Sequence, residues 1–402
     1  MTMDAFPEDW EVYSIGQIGE PLMCKRILKE QTNESGDVPF YKIGTFGRKA
    51  DAYISRGLFE EFRSRYSYPK RGDVLISAAG TIGRLVVFDG QEAYFQDSNI
   101  IWLDNDETKV LNQYLYLAFQ NMKWQTEDGG IVSRLYNNNF KAMQLHLPPL
   151  PEQRRIAAAL GDMDKLIDNL SKRIEKKKAI KQGAMQELLT GKKRLLGFSK
   201  NSGCDDEGVV VTQNGIGGDA ECVTTGSSPL GDGDWCVRSI KSMLKIGHGK
   251  DYKSLKPGDV PVFGTGGYMC GVDSFLYEGP TVCIGRKGTI DKPFYHEGKI
   301  WTVDTLFYTY DFVDADPKFI YYKFLTVDWL GYNAASGVPS LTSQTIERIE
   351  LRMPSIEEQR AIAKVLSGMD AEIANLERKL EKLKFMKQGM MQDLLTGKVR
   401  LK

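Results

Sequence analysis

At 402 residues the chain is too long for one ordinary domain, and its 42% hydrophobic and 26% charged residues are those of folded protein, which excludes a disordered or fibrous chain. The 53 Lys and Arg balance the 53 Asp and Glu, so the whole is not a simple basic nucleic-acid binder. By segment the charge is about −4 over 1–150, +7 over 151–200, −5 over 201–230, −1 over 231–352 and +3 over 353–402.

Residues 1–150 read as a strand-rich domain. Val74–Ser77 and Arg84–Phe88 are short apolar runs bounded by Gly and Asp, as strands with turns require, and Val110–Asn121 has a helical pattern. Residues 151–195 read as one long helix. Ile156, Leu160, Met163, Ile167, Leu170 and Ile174 alternate spacings of four and three, which makes a coiled-coil seam. Pro151 suits the first turn and Gly191 the stop. About 40 helical residues span roughly 60 Å, the length of a spacer. Residues 196–230 carry Gly, Ser, Asp and Asn, with no Lys or Arg from Asn201 to Leu230, and read as a linker that Val209–Val211 could interrupt as a strand. Residues 231–353 form a second strand-rich domain, with Thr281–Ile284 as a strand and Pro317–Val327 as a helix. Residues 354–402 form a second long helix. Its seam is Ile362, Leu366, Met369, Ile373, Leu376, Leu380 and Leu383, with a capping box from Ser355 and Glu358 and a stop at Gly397. Lys181 and Lys387 fall on seam positions, and Gly183 and Gly389 cost about 1 kcal/mol each inside a helix, so the regular seam is expected to end near them.

The halves are copies. Residues 148–195 and 354–401 align without a gap, with roughly 27 of 48 positions identical, far more than shared helical composition gives. The domains repeat only as a framework: Asp9-Trp10 echoes Asp234-Trp235, Asp37-Val38-Pro39 echoes Asp259-Val260-Pro261, Gly44-Thr45 echoes Gly264-Thr265, and Gly80-Thr81-Ile82 echoes Gly288-Thr289-Ile290. Between these anchors the halves differ almost everywhere, as two domains of one fold with different reading surfaces would. The fold expected is α+β with a pseudo-two-fold internal repeat: two strand-rich domains joined by two long paired helices.

Catalytic chemistry is hard to find. The six cysteines contain no Cys-x-x-Cys, and His146, His248 and His296 are far apart, so no metal site is expected. The Gly-Lys pairs at Gly191, Gly249, Gly298 and Gly397 lack the upstream glycine of a P-loop. Gly264-Thr265-Gly266-Gly267 misses the dinucleotide spacing and reads as a turn. No Asp/Asn-Pro-Pro-Tyr/Phe holds an extruded adenine. Glu175-Lys176-Lys177 and Glu377-Arg378-Lys379 read as solvated helix faces rather than nuclease carboxylates. No apolar run approaches the roughly 20 residues of a membrane span, and the N-terminus has no basic stretch before an apolar core, so a cytoplasmic protein is expected.

Leu147-Pro148-Pro149-Leu150-Pro151-Glu152-Gln153-Arg154-Arg155-Ile156-Ala157, answered by Met353-Pro354-Ser355-Ile356-Glu357-Glu358-Gln359-Arg360-Ala361-Ile362-Ala363, resembles the specificity subunits of Type I restriction-modification systems. The helix ends, Gln186–Lys192 and Gln392–Lys398, resemble them equally. The resemblance covers essentially the whole chain, as target-recognition domain, helix, target-recognition domain, helix. It implies a non-catalytic subunit whose two domains each read one half of a split site in double-stranded DNA, and whose helices pair antiparallel and hold two methyltransferase subunits. S-adenosylmethionine would serve those partners, and ATP with Mg²⁺ a further restriction subunit. For DNA contacts, loops combining cations, amides and aromatics suggest Lys42, Arg48, Lys49, Arg134 and Asn137, Asn138 and Asn139 in the first domain, where Asn139 could instead cap a short helix. In the second they suggest Lys250, Tyr252, Lys253, Arg286, Lys287, Ser343 and Gln344. The rival reading is a coiled-coil scaffold that touches no DNA; it leaves the two divergent copies of one domain unexplained.

Overall fold

The computed structural model describes residues 6–124, 134–198, 235–333 and 335–401. Most of the expected linker, with its Val209–Val211 strand, lies outside them. The chain forms two compact units, Met1–Ser171 with Arg378–Lys402, and Lys172–Glu377. No described helix is long and apolar enough to cross a membrane.

The first unit begins with β1 (Glu11–Ser14), α1 (Ile15–Ile18), β2 (Gly19–Leu22), β3 (Val38–Tyr41), β4 (Tyr53–Ile54) and α2 (Arg56–Arg65). β5 (Val74–Ser77), β6 (Leu85–Val87), β7 (Tyr94–Phe95), β8 (Ile100–Asn105), α3 (Asn112–Asn121), α4 (Asn137–Ala142) and β9 (Gln144–Leu147) follow, and then α5 (Leu150–Leu188) leaves the domain. One sheet runs β2-β8-β5-β6 and another β4-β3-β7, with β3 parallel to β7 and β1 paired to β9. β5 runs Val-Leu-Ile without a polar residue before Ser77, as suits a strand with both faces buried. Helix α2 was not foreseen: its sequence is mostly polar, and its entry rests on Ser55 capping the Leu58 amide and on Phe59, which is fully buried.

The second unit repeats the plan. It contains β10 (Cys236–Ser239), α6 (Ile240–Met243), β11 (Lys245–His248), β12 (Pro257–Gly264), β13 (Gly267–Val272), β14 (Tyr277–Gly285), β15 (Phe294–Thr302), β16 (Leu306–Tyr310), α7 (Pro317–Phe324), α8 (Ser343–Glu347), β17 (Glu350–Met353) and the first part of α9 (Ile356–Leu395), whose remainder belongs to the first unit. Its six-stranded sheet runs β11-β16-β14-β15-β12-β13, β12 lies parallel to β15, and β10 pairs with β17 as β1 does with β9. The Gly264–Gly267 segment is the turn of the β12–β13 hairpin, as its composition suggested.

Each unit holds a piece of the helix pair, and in each the pieces run antiparallel. In the first, Glu152 meets Arg400 and Asp164 meets Lys387; in the second, Glu358 meets Arg194, and Asp370 meets Lys181. These are the same contacts with the two helices exchanged. Every seam residue named from the sequence is buried or half-buried. The seam lysines thus end on aspartates of the opposing helix. Beyond Gly183 and Gly389 the helices continue, but their apolar faces turn into the domain cores: Met185, Leu188 and Leu189 pack with Ile362 and Leu366, and Leu394 and Leu395 pack with Ile156 and Leu160.

Two local expectations need correction. Ser355 does accept the Glu358 amide, at 3.4 Å, but the Glu358 carboxylate is taken by Arg194 rather than returning to close a capping box. Asn139 lies inside α4, whose N-cap is Tyr136, so it is not the cap of that helix.

Candidate nucleic-acid interface

In each unit the strand ends bring separate loops into one cluster. In the first, the Lys42–Arg48 turn after β3 is tied to the segment after β7 by the Ile43 amide donating to Gln96 Oε1 at 2.9 Å. It is tied to the loop before β6 by Arg84 Nη1 donating to the Phe46 carbonyl at 3.0 Å. The β5–β6 loop is folded on itself by Ser77, whose Oγ donates to the Thr81 carbonyl at 2.6 Å and accepts from the Arg84 amide at 2.8 Å. Gly80 stands there at φ +66°, a conformation that costs a side chain dearly. Arg134 forms a bridge with Ala79, and its guanidinium reaches the Ser98 carbonyl at 3.4 Å. Ser98 itself holds the left-handed φ of 53°, strain of the kind kept at functional sites.

The second unit repeats this arrangement with other side chains. The Arg286 amide donates to the Thr305 carbonyl, its Nη1 donates to the Asp304 carbonyl, and Lys287 bridges Ser340. Gly288 takes φ +92° where Gly80 stands in the first copy, which explains the repeated Gly-Thr-Ile. The Lys250 amide donates to the Thr302 carbonyl and its own carbonyl accepts Trp301 Nε1 at 2.9 Å, so the Lys250–Lys253 loop sits at the same strand end.

The structure therefore gathers Lys42, Arg48, Lys49 and Arg134 around one loop cluster and Lys250, Tyr252, Lys253, Arg286 and Lys287 around the other. Arg48, Lys49, Arg134, Lys250, Lys253, Arg286 and Lys287 are exposed. Lys42 is partly spent on Asp51, 2.9 Å away. Asn137, Asn138 and Asn139 lie on α4 and Ser343 and Gln344 on α8, each just after the segment that bridges its loop cluster. Sequence reasoning missed Arg84, Gln96 and Ser98, which carry no motif and acquire their place only through contacts between loops.

Each cluster borders a cleft. In the first, Tyr41, Phe46, Arg48, Val86 and Glu92 line about 260 Å³. In the second, about 710 Å³ is lined by Asp251–Lys253, Gly264–Met269 and Val303–Thr305. Neither is lined by a cysteine. Burial pushes the Cys24 thiol up to about 12 and raises Cys283 further, so both stay protonated. No group of three or more His, Cys, Asp or Glu among the described residues is placed to hold a metal ion.

The repeated motifs have a different office. Gln153 Nε2 donates to the Pro148 and Lys109 carbonyls while its Oε1 accepts the Leu111 amide, fixing the start of α5 to the segment that enters α3. Gln359 does the same with Pro354, Asp314 and Asp316 before α7. Glu152 and Glu358, both buried, each receive a two-pronged arginine from the end of the other helix. Arg400 also grips Asp9; the corresponding Asp234 lies outside the described residues. Arg154 and Arg360, the third residue of each motif, are exposed.

The model of the type I restriction modification DNA specificity domain matches residues 7–181 and 232–384. A Haemophilus influenzae protein assigned as a type I restriction enzyme specificity subunit is 56% identical over 161 residues, 40% of this chain and 42% of that one. A Methanocaldococcus jannaschii protein assigned likewise is 26% identical over 434 aligned positions, covering 98% of this chain and 95% of the other. Among solved structures, the S subunit of a type I restriction-modification system from M. genitalium shares the fold, with a TM-score of 0.63 at 15% identity over 98% of this chain and 97% of that one.

Proposed function

Because the chain belongs to the type I restriction-modification family of DNA specificity subunits, we propose that each loop cluster reads one half of a bipartite, asymmetric site in double-stranded DNA, and that the paired helices seat two methyltransferase subunits. The observation that carries the first part is the contrast between a repeated strand framework and unlike, cation-bearing loops at the same strand ends. Cations there neutralise phosphates, while amides, arginines and aromatics meet base edges. A scaffold that ignored DNA would have no use for two differently faced copies.

Support for the second part comes from what stayed the same on the outside. Arg154, Gln182, Gly183 and Gln186 recur as Arg360, Gln388, Gly389 and Gln392, and all eight are exposed. No described residue lies within 4 Å of a side chain placed at either glycine, and neither takes a positive φ, so no contact among the described residues requires them. A surface kept twice, including a residue unfavourable in a helix, fits one kind of partner bound twice and approaching the backbone closely.

Catalysis then belongs to the partners: adenine methylation from S-adenosylmethionine to the methyltransferase subunits, and ATP- and Mg²⁺-dependent cleavage to a motor-nuclease subunit where one joins. The test is to map methylated adenines in DNA exposed to this chain with its methyltransferase. A split, asymmetric sequence is expected. A complex that forms but methylates without sequence preference would favour the scaffold, and methyl transfer by the purified chain alone would overturn the division of labour.

A further inference from the structure

The cleft of the second domain differs from its counterpart in a way the shared framework does not require. At the turn after β3 the first domain buries its aromatic, Phe46, which is 1% exposed. In the second domain β13, the strand that follows the matching turn, leaves Tyr268 66% and Met269 49% exposed. Tyr268 is held edge-on against Phe263, with ring centres 6.0 Å apart. The Met269 sulfur lies over Gly264, 3.1 Å from where a β-carbon would stand there, and Val303 adjoins the same point at 3.4 Å. Met269, Val303 and Tyr252 thus give the cleft an apolar part of its lining, and Asp251, Lys253, Thr265, Asp304 and Thr305 a polar part.

Next to this lining are the exposed Lys250, which precedes Asp251, and Arg286 and Lys287, whose amides donate to the Thr305 carbonyl, and they suit the cleft's neighbourhood to a polyanion. The two carboxylates, Asp251 and Asp304, would repel a phosphate inside the cleft itself. A base edge is the part of DNA that fits: it brings no charge, and its amino groups can donate to carboxylates. Only thymine adds a methyl group to the major-groove edge.

We propose that this cleft reads a thymine of the second half-site by packing its 5-methyl group against Met269 and Val303, with Lys253 of the same lining supplying a donor for O4. The inference rests on the DNA-reading function above. It makes Met269 a specificity-determining residue with no equivalent in the first domain, so the two half-sites should differ in their dependence on that methyl.

The experiment uses the full chain with its methyltransferase on its mapped site, replacing each thymine in turn by deoxyuridine, which lacks only the methyl. One position in the second half-site should lose affinity about fourfold, the worth of one buried methyl group. Met269→Ala should abolish that difference, Met269→Leu should keep it, and binding through the first half-site should be unchanged in both, which shows that the variants are folded. Sequence-specific binding with no methyl-sensitive thymine in the second half-site, or sensitivity that survives in Met269→Ala, overturns the inference and leaves the DNA-reading function standing. Absence of any sequence-specific binding overturns both.

Discussion

Arg400 closes on Glu152 through two hydrogen bonds of 2.7 Å each, across 248 residues of chain. Arg194 closes on Glu358 with the same two atoms at the same 2.7 Å, across 164 residues. Glu152 and Glu358 are 4% and 0% exposed, so each carboxylate depends on its arginine. Arg400→Ala should therefore destabilise the first unit by about 3 kcal/mol, since it strands a buried charge, whereas Arg400→Met with Glu152→Met should recover much of the loss. Urea unfolding followed by tryptophan fluorescence checks this, because Trp10 lies beneath the Arg400 guanidinium.

Gly183→Ala and Gly389→Ala should each stabilise their helix by about 1 kcal/mol and yet weaken association with the methyltransferase. Thermal unfolding of the chain reads the first effect, and analytical ultracentrifugation with the partner reads the second. Gains in stability with unaltered association would remove these glycines from the docking face.

Lys323 is buried in the second unit, where desolvation, aided by the charge of Arg352, lowers its pKa to about 8. Between about pH 8 and 10.5 the unfolded chain holds that proton and the folded chain does not, so this group makes stability rise with pH across the window. Below pH 8 both states are protonated and the cost of the buried charge is paid in full. Stability of the native chain relative to Lys323→Met should climb by up to about 3 kcal/mol from pH 8 to 10.5, as read from urea midpoints at each pH.

Replacing Arg48, Lys49 or Arg134 should disturb one half-site, and replacing Lys253, Arg286 or Lys287 the other. A base contact should cost about 1–3 kcal/mol at a single position, and a phosphate contact should weaken all sequences alike while reducing the salt slope. Binding titrations at several salt concentrations separate the two. If all six substitutions are silent, the loop clusters are not the reading surface.

A fragment of residues 1–195 should dimerise and redirect methylation to an inverted repeat of the first half-site, because Arg194 and Lys181 from one copy can meet Glu152 and Asp164 of the other as Arg400 and Lys387 do now. Lys177 stands where helix α9 has Leu383, so the dimer should be weaker than the native pairing and visible in sedimentation only at higher concentration. A fragment that stays monomeric would show that the halves are not exchangeable.

What the sequence determined by itself is periodic or repeated. The spacing of Ile156, Leu160 and Met163 fixes a helix stripe, Val74–Ser77 fixes a buried strand, and the copy at 354–401 fixes the repeat of domain and helix, because each is read from residue identities and spacings along the chain. Tertiary structure decided what those motifs are for. Glu152 and Glu358 read as helix-start residues until Arg400 and Arg194 arrive from far along the chain, and Gln153 and Gln359 reveal their role only through carbonyls and amides of a different segment. The proposed reading surface was only half legible. A loop cation such as Arg48 or Lys253 can be picked out by composition, but Arg84, Gln96 and the Ser98 backbone are placed by hydrogen bonds between loops, and the exposure of Met269 on β13 beside the burial of Phe46 depends on what packs behind each segment.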